Sequence, residues 1–396
     1  MKLNPGRLPD SIPYLLEVVI AIRPINIDSV IEIIIEKLIS DGRGMGRCDG
    51  RVIFAAGVIP GETVRLRITR IRSGFAEGEL VALLESSPER VVPPCPHFFE
   101  CGGCSLQYIA PAAQLEFKQA ALRDSLRRLG KLQDADIPQL QVVSGHDRGY
   151  RNRMRFAASE TGAWGLRGKR SNAVVPIREC LIAHPRISEA VSRTGTPPGV
   201  RPGEEFCVYA DDHGMYCHQD AAEARVSGIS FTFPVRAFFQ SNRHLLEKAL
   251  PHIIGNIPEG RVADLYGGIG VFSVFLQRSG HHCVSVDSGV PSASDAAVPA
   301  GISFRRMTVE QWISTPEADG DFAAVILDPP RAGLSPEVRR YLGRARIGEI
   351  RYLSCNPDTF ARDAGEIVRS GRKCTGLWAL DFYPHTSHLE VLGVFS

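Results

Sequence analysis

No stretch of the sequence is both long and apolar enough to span a bilayer: the runs near Val18–Ile22 and Ile31–Ile35 are broken by Glu17, Arg23, Pro24 and Glu36. The opening MKLNPGRLPD lacks the charged-then-apolar order of a secretion signal. A strong charge of one sign is missing too. The 46 Lys and Arg against 44 Asp and Glu leave a net charge of +2, so no global field announces a nucleic-acid or membrane partner. Ten cysteines are present, but they are unevenly placed, three of them within ten residues, and lack the spacing of a secreted disulfide framework. Together these absences lead to the expectation of a protein of the reducing cytoplasm, with no membrane partner.

What is present is ordinary in bulk and informative in detail. At 396 residues, 44% of them hydrophobic and 23% charged, the chain has material for two or three cores. Residues 1–27, with Pro5, Pro9, Pro13 and Pro24, support no assignment. From 28 to 88, IEIIIEKL, VIFAAGVIPGE, VRLRITRIR and AEGELVALLE read as short strands, and DGRGMGRCDGR as a Gly-rich loop between the first two. That pattern predicts a small OB-like barrel, decorated by Arg65, Arg67, Arg70 and Arg72. A Pro-rich boundary leads into residues 89–237. These hold a helix over about 112–129, with Leu115, Leu122, Leu126 and Leu129 on its stripe, and then a mostly β region. Within it, Arg148, Arg151, Arg153, Arg155, Arg167, Lys169, Arg170 and Arg178 outnumber Asp147, Glu160 and Glu179, which makes a local basic patch. From 238 to 396 strands alternate with helical segments, which predicts a doubly wound, mainly parallel sheet.

The chemistry gathers at the ends of those strands. In DLYGGIG, Gly267, Gly268 and Gly270 let backbone approach a ligand, and Asp287 follows at the end of the next strand, where a ribose-binding acid belongs. Asp328-Pro329-Pro330 ends a third strand in a methyltransferase-type corner. Arg331 follows it where amine methyltransferases carry an aromatic. The cofactor expected is S-adenosylmethionine rather than NAD. In IRYLSCNP, Pro357 stops the ladder and pushes Asn356 toward an extended backbone, holding the Cys355 thiol at a strand's carboxyl end. Alone, Cys355 reads as a small buried hydrophobe. Its company, Asp328 and Glu390, reverses that reading.

Cys95, Cys101 and Cys104 form C-x5-C-x2-C, with Gly102 and Gly103 allowing a tight wrap, and Cys180 in IRECLIA is the candidate fourth ligand. Four thiolates suit an iron–sulfur cluster or tetrahedral zinc. Three clustered and one remote lean to iron–sulfur, since zinc sites usually come as two close pairs.

Taken in order, PPCPHFFECGGCSLQY, GYRNRMRF, FFQSN, DLYGGIG, ILDPPRAGL, YLSCNP and FYPHTSHLE resemble the RNA (uracil-5-)-methyltransferase family, in its iron–sulfur branch typified by the 23S ribosomal RNA enzymes. The resemblance spans roughly Val30 to the C-terminus. It implies an N-terminal TRAM barrel, a central domain with a [4Fe-4S] cluster on Cys95, Cys101, Cys104 and Cys180, and a Rossmann-like class I methyltransferase domain. It puts S-adenosylmethionine against Gln240, Tyr266, Gly267, Asp287 and Asp328, makes Cys355 the nucleophile and Glu390 the general base, and implies a monomer acting on RNA. The chain departs from the family in three places: Asp287 stands where Glu is more common, SGVPSASDAAVPAG after it is shorter and richer in Pro, Ser and Gly than the usual helix, and Thr308 stands where members can have an Asn contact.

The chemistry explains the residue types. Carbon 5 of uracil is a poor nucleophile until a thiolate adds to carbon 6. The site is therefore expected to favour ionisation of Cys355. A base must then take the carbon-5 proton. The uracil is expected to flip out of its stack, with the basic patch and barrel on the phosphates. A tRNA substrate, or an RNA-binding protein with a degenerate cofactor pocket, are the alternatives.

Overall fold

The computed structural model describes residues 25–169, 171–193, 195–217, 220–289 and 301–396. Most of the unassigned N-terminal stretch, and the core of the Pro- and Ser-rich segment after Asp287, lie outside the described residues.

Strands β1 (Val30–Leu38), β2 (Gly44–Cys48), β3 (Arg51–Ala55), β4 (Thr63–Ile71) and β5 (Phe75–Glu85) close into a barrel in the order β1-β2-β3-β5-β4. Alternation builds it: Val64, Leu66 and Ile68 of β4 point inward with Ile33, Ile35 and Ile53, while the arginines between them face out. The Gly-rich stretch expected to be a loop contains β2. The glycines inside it, Gly44 and Gly46, serve clearance, while Gly42 (φ 84°) and Gly50 (φ 78°) flank it in turns. A Cβ on Gly46 would meet the Ile34 carbonyl, where the β1–β2 register slips between Ile35 and Lys37 as the barrel closes.

Next come α1 (Pro111–Arg128) and β6 (Leu140–Val143). The buried face of α1 is not the leucine stripe alone. Gln114, Lys118 and Ser125 are buried on it with Leu122 and Leu126, and Leu129 is exposed. Each polar group on that face meets a partner far along the chain, Lys118 with Asp381, Gln114 with His385 and Ser125 with Asp358, which a hydrophobic period cannot reveal.

Strands β7 (Arg153–Ala158), β8 (Trp164–Arg167) and β9 (Val174–Pro176), helix α2 (Pro185–Arg193), and strands β10 (Glu205–Ala210) and β11 (Met215–Cys217) follow. They make an antiparallel sheet, β11-β10-β7-β8-β9, around the packed rings of Phe156, Trp164 and Phe206. A hairpin, β12 (Ala221–Val226) and β13 (Ile229–Pro234), turns at Ser227-Gly228, both with positive φ.

The remainder is α3 (Arg243–Ile254), β14 (Arg261–Leu265), α4 (Val271–Arg278), β15 (His282–Val286), β16 (Ile302–Arg305), α5 (Val309–Trp312), β17 (Phe322–Leu327), α6 (Pro336–Arg344), β18 (Ile347–Ser354), α7 (Pro357–Arg369), β19 (Cys374–Leu380) and β20 (Glu390–Phe395). The strands form one eight-stranded sheet, β16-β15-β14-β17-β18-β20-β19-β6. It is parallel from β16 to β18, and β20 runs antiparallel to both its neighbours. Every residue of β20 is buried, as expected of a strand covered on both faces. β6 corrects the sequence reading: it lies within 89–237, read as a central domain, yet pairs with β19 as the edge of this sheet. Four residues with no clear alternation carry no local sign of that pairing.

Helix α1 reaches the sheet through α7, where Gly365 meets Gly130 so closely that a Cβ would overlap the Gly130 carbonyl. Gly365→Ala is expected to destabilise the protein by roughly 1–3 kcal/mol through overpacking, seen as a lower urea midpoint. An unchanged midpoint would mean that this approach does not constrain the fold.

Candidate active site

The carboxyl ends of the parallel strands gather the residues singled out in the sequence. β14 ends in the turn Tyr266–Gly270. Tyr266 has a left-handed backbone (φ 63°), and its N–H donates to the Val286 carbonyl at 2.9 Å. A Cβ on Gly267 would lie 2.6 Å from Ser285 Oγ, whereas Gly268 (φ 55°) faces open space. Asp287, after β15, accepts from Gly268 N at 3.0 Å and is thereby tied to the glycine turn. Below it Asp264 is wholly buried. Its Oδ2 accepts from Ser273 N and Oγ, while its Oδ1 and the Ser285 hydroxyl find no partner among the described residues. Burial pushes Asp264 up to about 6. Gln240 is 6% exposed, and its Oε1 also lacks a partner.

Asp328 follows β17 directly. The loop it opens is bolted to α7 by Asp363, which accepts from Leu334 N at 2.9 Å, Tyr352 Oη at 2.9 Å, Arg362 Nε at 2.8 Å and Arg339 at 3.2 Å. The Arg331 carbonyl accepts from Asn356 Nδ2 at 3.1 Å. Cys355 lies between β18 and Asn356, the extended N-cap of α7 (φ −137°), whose side chain accepts from Asp358 N. The β18–β20 register sets Ser354 opposite Val391, so Cys355 stands across from Glu390. Glu390 is 4% exposed, and its Oε2 is unpartnered among the described residues.

Thiol and carboxyls share one dry corner. Burial and then Asp328 push Glu390 up to about 8, with Arg331 opposing. Burial and then Asp264 push Asp328 up to about 7. The Cys355 thiol is driven up to about 11, first by burial, then by Glu390 and Asp328. This corrects the expectation that the site favours the thiolate: two acids face the sulfur, and the N-terminus of α7 and the Arg331 charge do not outweigh them. The resting corner therefore stores protons, and a reaction there must move one off sulfur.

The four cysteines singled out in the sequence also come together. Cys95, Cys101, Cys104 and Cys180 line one cavity of about 290 Å3, with Arg151 on its wall. The wrap needs its glycine: a Cβ on Gly102 would stand 2.9 Å from the Arg167 carbonyl. Among the described residues no three His, Cys, Asp or Glu side chains converge as a single metal ion would require. The basic patch is partly consumed. Arg153 donates to the Val235 and Arg236 carbonyls, and Arg167 pairs with Glu205 at 3.0 Å. Arg151 lies over the Tyr383 ring. On the barrel, Arg65 pairs with Glu32. Sequence reasoning did not single out Lys118, Asp381, His385 or Asp363. All four are buried polar groups, and only a buried polar position on an apolar helix face could have flagged the first.

Comparison with known proteins fits this geometry. Residues 26–81 match the TRAM domain, and residues 313–396 match the tRNA (uracil-5-)-methyltransferase model. The chain is 30% identical to the 23S rRNA (uracil(1939)-C(5))-methyltransferase of Methylococcus capsulatus, over 91% of this chain and 96% of that one. It is 31% identical to the protein of the same name from Alkalilimnicola ehrlichii, over 92% and 96%. Among solved structures, the Pyrococcus abyssi tRNA (uracil-54, C5)-methyltransferase in complex with S-adenosyl-L-homocysteine shares the fold, with a TM-score of 0.70 at 23% identity, covering 92% of this chain and all of that one.

The buried acid has a measurable signature. Glu390 titrates ordinarily near 4.5 and here at about 8, so between those values the folded protein keeps a proton that the unfolded chain has released. Its contribution to stability is thus fully present below about 4.5 and is lost as pH rises through about 8. Relative to the native protein, Glu390→Gln is expected to gain melting temperature as pH rises from 5 to 9, by roughly 1–2 °C per kcal/mol relieved. A gap that stays constant with pH would place the Glu390 proton elsewhere.

Proposed function

The chain belongs to the RNA (uracil-5-)-methyltransferase family, and from that premise we propose that it methylates carbon 5 of a uridine in RNA, with 23S ribosomal RNA as substrate. The observation that carries the reading is Cys355 opposite Glu390 at the end of β18, with Asp328 beside them. The substrate follows from the curated relatives, which are named for that RNA.

S-adenosylmethionine, when bound, supplies an electrophilic methyl group. Gln240, Tyr266, Gly267, Asp287 and Asp328 are the residues that would hold it. The open face of Gly268 and the unpartnered Gln240 Oε1 fit a polar ligand that runs along the strand ends. The chain's own part begins with the proton on Cys355. Once the Asp328 carboxylate has taken it, leaving Glu390 free for the later step, sulfur adds to carbon 6 of the flipped uracil, and the ring's electron pair moves toward carbon 5 and oxygen 4. Arg331 is the cation that opposes the charge of this corner. After methylation, carbon 5 carries one proton too many. Glu390 takes it, the carbon 5–carbon 6 double bond re-forms, and the sulfur–carbon bond breaks. A rate that rises with pH follows, because both steps need the ionised form of a carboxyl that burial keeps protonated.

The four thiols are read as the seat of a [4Fe-4S] cluster with a structural role. The four thiols line one cavity, and their spacing, three clustered and one remote, is what favours a cluster over zinc. Barrel and basic patch supply the RNA-holding surface, in keeping with the TRAM match.

Incubation with 5-fluorouridine-containing RNA and S-adenosylmethionine is expected to trap a covalent protein–RNA species on a denaturing gel, and Cys355→Ala to abolish it. Absence of both the adduct and cofactor binding would leave only an RNA-binding protein. Protein purified without oxygen is expected to carry iron and acid-labile sulfide in equal amounts, lost together in Cys180→Ser. Zinc without sulfide would exclude the cluster.

A further inference from the structure

Between β19 and Glu390 the chain runs through Asp381–Leu389, and this loop is gripped from every side. Lys118, buried on α1, donates to Asp381 Oδ1 at 2.7 Å and to the Tyr383 carbonyl at 3.0 Å. Tyr150 Oη donates to the Pro384 carbonyl at 2.9 Å. His385 N donates to Gln114 Oε1 at 2.8 Å, and the Gln114 amide nitrogen lies 3.2 Å from His385 Nδ1. The turn that follows Cys104 supplies the strongest clamp. Ser105 N and Leu106 N both donate to the His385 carbonyl, at 3.0 and 2.9 Å, and Ser387 N donates back to Ser105 Oγ at 2.9 Å. The barrel closes in as well: Gly42 (φ 84°) sits so near that a Cβ there would lie 2.8 Å from Ser387 Cβ.

His385 itself has a left-handed backbone (φ 67°), a conformation that costs a non-glycine residue free energy and persists only where its surroundings enforce it. Here the enforcing groups are those two amides and Gln114. Cys355, by contrast, is held by independent means: the centre of the sheet, the N-cap of α7 and the Asp363 bolt.

Resting on the reading above, we infer that the turn Ser105-Leu106 is a positioning element for Glu390, acting through the His385 carbonyl, so that whatever orders Cys104 also orders the general base. The coupling falls on one step. Addition of the Cys355 sulfur to carbon 6 does not need the loop. Release does, because there the carbon-5 proton passes to the Glu390 carboxylate, its bonding pair restores the ring double bond, and the thiolate departs.

Three variants test this: His385→Gly, which keeps the left-handed backbone and frees it; Ser105→Ala, which removes the acceptor for Ser387 N; and His385→Asn, which tolerates that backbone and can still meet Gln114. Each is assayed for trapping by 5-fluorouridine RNA, for covalent protein–RNA with ordinary RNA at steady state, and for 5-methyluridine released. For His385→Gly and Ser105→Ala, trapping is expected to stay within about twofold of native while release falls about tenfold, part of the roughly 10²–10⁴ that a positioned base provides. The covalent species should then accumulate on ordinary RNA, as it should more strongly in Glu390→Gln, and His385→Asn should restore release. Trapping and release falling together, or neither changing, would overturn the inference. Should His385→Gly fail to fold, Ser105→Ala decides alone. If the native protein itself traps nothing, the proposed reaction fails rather than this coupling.

Discussion

Everything near the Cys355 end of the sheet depends on keeping too much potential negative charge in a place with too little water. Asp264, Asp328, Glu390 and Cys355 lie within reach of one another's fields, and burial denies each the solvent that would stabilise its ion. The protein resolves this by holding protons rather than by pairing every acid with a base. Such a corner is poor at making a thiolate by itself and well suited to passing protons between neighbours. Cationic charge brought in by a bound ligand would lower every one of these ionisation costs at once.

The reversed direction of β20 makes the corner possible. In a wholly parallel sheet the first residue of a strand lies at the amino edge, far from the carboxyl edge where ligands collect. Because β20 is inserted antiparallel between β18 and β19, its first residue, Glu390, arrives at the edge where β18 delivers Cys355. The loop that reverses the chain becomes the wall of the site and the meeting point of barrel, Cys-rich turn and helix α1.

The strand ends were legible in the sequence because their constraints are local. Glycines before a helix, two prolines after an acid, and a proline two residues past a cysteine each dictate backbone within a few positions. The barrel's inward set followed from simple alternation in β4. What stayed hidden was set by partners far along the chain. Gly44 and Gly46 looked like loop residues because their clearance is required by Ile34, Ile35 and Val58 across the barrel. Lys118 and Gln114 fell outside the leucine stripe because their companions, Asp381 and His385, are more than two hundred residues away. The depressed ionisation of Cys355 was likewise unreadable, since it arises from acids on two other strands.

The pairing of β6 with β19 joins Leu140 to Leu377. During synthesis the earlier segment leaves the ribosome long before its neighbour exists, with its hydrogen-bonding edge unsatisfied and α1 lacking the helix it rests on. The N-terminal barrel can close early, since its strands are near one another in sequence, but the catalytic sheet cannot be finished in instalments. Nascent chains of this protein therefore pass through a prolonged half-assembled state, and demand on chaperones should be concentrated there rather than spread along translation.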